Sequence, residues 1–160
     1  MKQILKMAIV GAMLGSASGM LSAYEGSSDG DATAEQQAGA DFNVQMAVAK
    51  ASKAWKDAFN AGDAAGAAAL YEDDAVMVVK PFGTFTGKDQ ILAFWTDLVS
   101  KGFDNVVYKN STMVVLDAKS ARVSAEWKMN KAHGIITNEH WVVQPDGRAL
   151  LREDHFEVAQ

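Results

Sequence analysis

The residues with the richest chemistry lie near the C-terminus, in the stretch IITNEHWVVQPDGRALLREDHFEV from Ile135 to Val158. Asp146-Gly147 tolerates φ > 0 at both central positions and favours a two-residue type I′ turn. Pro145 then pairs with Arg148, and counting back sets Trp141 opposite Arg152, Glu139 opposite Asp154 and Thr137 opposite Phe156. Directly paired residues share a face, so one face carries two carboxylates, an arginine and two aromatics. Two facing carboxylates in a partly buried site cannot both ionise cheaply, so one holds its proton to unusually high pH. Such a pair suits general acid–base work, with Glu139 and Asp154 as acid and base and Arg152 keeping one of them ionised. The bland alternative is a buried arginine–carboxylate network without catalysis. A three-residue loop would slide the register by one, set Glu139 against Glu153 and dissolve the set.

Trp55, Tyr71, Trp95, Trp127, Trp141 and Phe156 are candidates to line a pocket for a flat, largely apolar ligand. Each is equally at home in a plain core. On the opposite face of the hairpin His140 meets Glu153, with Asn138 and His155 alongside; these read as a polar outer face or part of a dimer seam, and no metal-binding spacing supports a metal there. The chain has no phosphate-binding glycine loop and no nucleophile elbow, so no cofactor is expected.

Helices and strands must position these residues. Val44, Val48, Ala51, Trp55 and Phe59 make one apolar stripe, which predicts a helix from Asp41 to Ala61. Gly62 ends it, and Asp63 caps a short helix from Ala64 to Tyr71. Ala75 to Lys80 reads as a strand, turned at Pro81-Phe82-Gly83 into Thr84-Phe85. Thr86-Gly87-Lys88-Asp89 fits a capping box for a helix running to about Lys101. From Phe103 onward the chain is strand-like, with a long strand from Val106 to Leu116, and Ala121 to Asn130 alternates, with Val123, Ala125, Trp127 and Met129 on one face. Helices set to one side of an antiparallel sheet make an α+β layer fold.

The chain has 160 residues, 49% hydrophobic and 22% charged, which suits one domain with a real core. A formal charge of −5 with no basic run argues against nucleic acid and anionic membrane as partners. There are no cysteines, which excludes disulfides and thiolate chemistry. Lys2 and Lys6 precede an uncharged apolar run from Met7 to Leu21, and Leu21-Ser22-Ala23 ends in a small residue. This is the layout of an export signal over residues 1–23, too short an apolar run for a spanning helix. Cleavage after Ala23 removes two lysines, takes the formal charge from −5 to −7 and leaves a periplasmic or secreted domain. Residues 24–40 are polar and small, and read as a flexible leader before a domain spanning 41–160.

The run AFNAGDAAGAAALYEDDAV, then Gly87-Lys88-Asp89-Gln90-Ile91 leading to Phe94-Trp95, then Trp141 to Gly147 and Arg152 to Val158, resemble the NTF2-like superfamily. The similarity is greatest to its SnoaL-like (DUF4440) branch, with ketosteroid isomerase as a distant relative. The resemblance implies a cystatin-like cone, a curved sheet wrapped over three N-terminal helices with a pocket at its open end, and often a homodimer through the sheet. It implies Trp55 and Glu139 at positions that in the isomerase hold oxyanion donors, and Lys80 where that enzyme has its aspartate base. A lysine is cationic at neutral pH, so the isomerase base is not carried over. An acid–arginine–acid set is also similar, in residue type, to limonene epoxide hydrolase. The resulting expectation is a domain that binds a small apolar molecule in its cone. The alternatives are an isomerase, hydratase or hydrolase using Glu139, Asp154 and Arg152, and a non-catalytic dimerisation module with a filled cone.

Overall fold

A computed structural model describes residues 28–159. The elements are α1 (Ser28–Asn60), α2 (Ala64–Ala68), β1 (Tyr71–Lys80), β2 (Gly83–Thr86), α3 (Lys88–Ser100), β3 (Val107–Asp117), β4 (Ser120–Lys128), β5 (His133–Val143) and β6 (Ala149–Val158). The expected signal over residues 1–23 lies outside the described residues.

The strands form one six-stranded sheet in the order β2-β1-β6-β5-β4-β3. It is mixed rather than antiparallel throughout: β6 enters between β5 and β1 and runs parallel to β1. A parallel pair needs a long connection, and here everything from β2 through β5 supplies it. The neighbouring pairs β3–β4, β4–β5 and β5–β6 are all antiparallel.

The stripe on α1 behaves as its spacing predicts. Val44, Val48, Ala51, Trp55 and Phe59 are all buried, as are Ile91 and Trp95 on α3. Trp55 stacks on Phe59 at 5.5 Å and meets Trp95 edge-on at 5.0 Å. Trp95 in turn stacks on Phe156 at 5.9 Å, so an aromatic column ties α1, α3 and β6 together.

Helix α1 begins at Ser28 rather than Asp41, so the predicted flexible leader is helical from Ser28 onward. Residues 33–39 are exposed, and burial does not drive this part. Ala, Glu and Gln are strong helix formers, and extending an existing helix avoids the cost of a new nucleus.

Asp63 caps α2 as expected, its Oδ1 accepting from the Gly66 N–H at 2.7 Å. The helix stops at Ala68, and Tyr71 opens β1 instead. The capping box before α3 is displaced by one residue. Gly87 is the N-cap with no side-chain bond, and Gln90 Oε1 reaches back to accept from the Thr86 N–H at 3.0 Å. At Gly134 the strands β5 and β6 approach so closely that a Cβ would lie 1.9 Å from the Glu157 carbonyl oxygen.

The β5–β6 loop has three residues, not two. Gln144 N–H donates to the Arg148 carbonyl at 2.7 Å, Gly147 N–H donates back to Gln144 at 2.9 Å, and Gly147 sits at φ +82. Near the turn the register is therefore one off the prediction: Val143 pairs with Ala149 and Trp141 with Leu151. An irregularity between His140 and Trp141 then takes up Arg152 as an extra residue. Beyond it Glu139 pairs with Asp154, as predicted, and a second shift near Thr137 sets Ile136, not Thr137, opposite Phe156.

Candidate functional site

Glu139 and Asp154 face each other on adjacent strands, 2% and 4% exposed. Each is held by phenol or indole donors. Tyr108 O–H and Trp141 Nε1–H donate to the two Glu139 oxygens at 2.8 and 2.9 Å. Tyr71 O–H donates to Asp154 Oδ2 at 2.6 Å. Glu139 thus accepts at both oxygens and Asp154 at one.

Burial dominates the electrostatics. It pushes the Asp154 carboxyl up to about 8, reinforced by the Glu139 charge and opposed by the Tyr71 hydrogen bond. Burial also raises Glu139, but three groups work against it: Trp141, Tyr108 and the Lys56 ammonium. Burial raises both tyrosines well above their ordinary value, so their hydroxyls remain donors. Two like charges in one dry site are costly, so burial favours keeping one of the pair protonated.

Trp55, Trp95, Trp127, Phe156, Val106, Met129 and Ile136 close over the pair, leaving a cavity of about 20 Å³ between them and the acids. That is room for about one water molecule and not for a substrate. The Nε1–H groups of Trp55 and Trp127 are buried without a hydrogen-bond partner among the described residues, and both rings line this cavity.

On the far side of Trp127, Met129 and Phe156 lies an open apolar cleft of about 910 Å³. Its other walls come from α3 (Phe94, Leu98), from Phe85 on β2 and Phe82 just before it, and from Phe103. Phe94 packs on Phe85 at 4.7 Å and on Trp95 at 4.9 Å. Trp127, Met129 and Phe156 line both the inner cavity and the cleft.

Of the residues singled out from sequence, Glu139, Asp154, Trp55, Trp95, Trp127 and Phe156 come together around the cavity. Tyr71 and Trp141 join through hydrogen bonds to the acids. Arg152 does not. As the extra residue of the irregular turn of strand it points away from the cone, half-exposed, and binds Glu72 through Nε and Nη2 at 2.7 and 3.0 Å. It therefore does not orient the acid pair. Lys80 is also outside, paired with Glu157 at 2.7 Å on the surface.

Two members of the site were missed. Tyr108 lies opposite Trp127 across β3–β4, so the inward face already assigned to Trp127 would have located it. Lys56 stands on α1 beside Trp55 with its ammonium 4.3 Å from the Tyr108 ring centroid; nothing in its helical spacing marks it.

Residues 53–152 match the model of the SnoaL-like domain. A search of curated proteins finds no match. Among solved structures, a provisionally assigned scytalone dehydratase from Novosphingobium aromaticivorans is similar at 13% identity, over 77% of this chain and 89% of that one, with a TM-score of 0.65. A protein with a cystatin-like fold from Nostoc punctiforme is 10% identical over 72% and 90%, with a TM-score of 0.62. A ketosteroid isomerase-like protein from Erwinia carotovora atroseptica is 18% identical over 72% and 95%, with a TM-score of 0.59. At these identities the structural likeness speaks for the fold, and the sequence match covers well over half of the chain: this protein belongs to the SnoaL-like family, with an NTF2-like cone.

Proposed function

We propose that this SnoaL-like domain is exported and binds a small, largely apolar molecule whose oxygen-bearing end reaches the Glu139–Asp154 cavity. The observation that carries the reading is the set of unused donors on side chains that line one hollow. Trp55 and Trp127 offer partnerless N–H groups there. Asp154, with its carboxyl pushed up to about 8, offers an O–H at neutral pH on the oxygen that Tyr71 does not occupy. A carbonyl oxygen is the complementary group. The ligand's apolar body fits the cleft lined by Phe82, Phe85, Phe94 and Phe103. Rotamer changes at Trp127, Met129 and Phe156 join cleft and cavity.

An enzymatic reading is favoured by the same carboxyl. An acid that titrates near neutrality beside a carboxylate with two donors is suited to proton transfer. Isomerase or hydratase chemistry would use Glu139 as base and Asp154 as acid, without Arg152. A homodimer is supported by Val107, Val114, Leu116 and Ile135, large apolar side chains exposed on the strands β3 and β5.

The test is a panel of aryl ketones and the hydrocarbons of matching shape, titrated against indole fluorescence and followed by native mass spectrometry. At pH 7 the ketones bind more tightly than the hydrocarbons. Their affinity falls about tenfold by pH 9.5, the worth of roughly one hydrogen bond, as Asp154 gives up its proton. Ketones and hydrocarbons binding alike at both pH values, or no member binding at all, would overturn the reading.

A further inference from the structure

The acid pair has a second approach, from α1 and β3 rather than from the cleft. Lys56 is half-buried in this seam, its ammonium over the Tyr108 ring at 4.3 Å. The Tyr108 hydroxyl continues inward to Glu139 Oε1 at 2.8 Å. A cation seated on an aromatic face restrains the ring, and a phenol under a cation is a better donor, because the positive charge draws electron density from the O–H. We propose that Lys56 is a positioning residue: packed over Tyr108, it aims the Tyr108 hydroxyl at Glu139 and so fixes on Asp154 the proton that the acid pair shares.

The asymmetry of the site carries this assignment. Glu139 has two donors and a nearby cation; Asp154 has one donor and no cation among the described residues. The other groups facing the pair are neutral: Tyr71 from β1, Trp141 from β5, Trp127 from β4 and Trp95 from α3. On α1 itself Lys53 and Asp57 bond each other at 2.5 Å, which leaves Lys56 as the charge directed inward. Burial lowers the Lys56 ammonium and the Glu139 charge opposes that lowering, so the two groups support each other's ionised forms. The consequence for ligand choice rests on the binding reading above: with the proton fixed on Asp154, the hollow presents donors and selects an acceptor oxygen.

The experiment needs no ligand. Carboxyl carbons of Glu139 and Asp154 are followed by ¹³C NMR through a pH titration of the full domain, in wild type, Lys56→Met, Lys56→Arg and Tyr108→Phe. In Lys56→Met the Glu139 midpoint rises by about one unit, the usual effect of losing a neighbouring opposite charge, and the Asp154 midpoint falls as the proton is redistributed. Tyr108→Phe moves both in the same directions, and Lys56→Arg keeps the wild-type order. Midpoints unmoved in Lys56→Met, or displaced equally by Met and Arg, would overturn the proposal, the second outcome marking packing rather than charge. Should the ketone panel fail to bind while these shifts occur, the ligand reading falls and the role of Lys56 stands.

Discussion

Asp154 behaves differently in the fold and in the unfolded chain, and stability must follow that difference. Its carboxyl is pushed up to about 8 in the native state against an ordinary value near 4 when unfolded. Between those limits the native protein holds a proton that the unfolded chain has released, so stability falls as pH rises through the window. Asp154→Asn keeps the shape and removes the titration. Urea unfolding at pH 5 and pH 8.5 is therefore expected to show a decline in the wild type that exceeds the variant's by on the order of 4 kcal/mol, about three pH units at roughly 1.4 kcal/mol each; equal declines in both would contradict the burial argument. Tyr108→Phe strands a buried Glu139 oxygen and costs about 1–3 kcal/mol, measured the same way. Arg152→Ala removes a half-exposed pair with Glu72 and costs under about 1 kcal/mol. It leaves the Asp154 midpoint in place, whereas a shift there would return Arg152 to the site. The facing acids were legible because cross-strand partners share a face. Arg152 was not, because one extra residue in a strand reverses which side a neighbour takes, and no composition rule announces it. Lys56 was not, because its role depends on a ring brought from another element.

At the scale of the elements, the β5–β6 hairpin shows how a correct pairing arose from a wrong turn. Asp146-Gly147 signalled a turn, and a turn is there, but only Gly147 takes positive φ. The loop therefore holds three residues, which alone would have set Glu139 against Glu153. The irregularity at Arg152 restores the pairing. Turn chemistry is written in local residues; a compensating strand irregularity depends on what the neighbouring strand needs. Here β1 pairs with β6 through its own shift between Tyr71 and Val76, and Leu151 and Asp154 must both face inward. The inward stripes of α1 and α3 were legible because 3.6-residue periodicity is local. The extension of α1 to Ser28 was hidden, because an exposed helical tail carries no apolar pattern. Gly134 supplies a sharp test of the hairpin's far end. Gly134→Ala places a Cβ 1.9 Å from the Glu157 carbonyl oxygen and 2.8 Å from the Trp127 ring, and overpacking against backbone costs about 2 kcal/mol or more. An unchanged melting midpoint would show that β5 and β6 are less closely paired there.

For the whole molecule, the cone follows from helices laid on one face of a curved sheet, and that class was legible from element order. The parallel entry of β6 beside β1 was not, since order along the chain does not fix order across a sheet. The opposite face of the sheet exposes Val107, Val114, Leu116 and Ile135. Sedimentation velocity is expected to show a dimer for the wild type and a monomer for Val114→Glu combined with Leu116→Lys; a monomeric wild type would remove the dimer from the account.

Everything proposed for the hollow depends on where the shared proton resides. Site-resolved ¹³C NMR of the Asp154 carboxyl across pH 3 to 10 measures it directly. A midpoint near 8 is expected for Asp154, well above the ordinary carboxylate range. Both carboxyls titrating together in the ordinary range near pH 4 would contradict it.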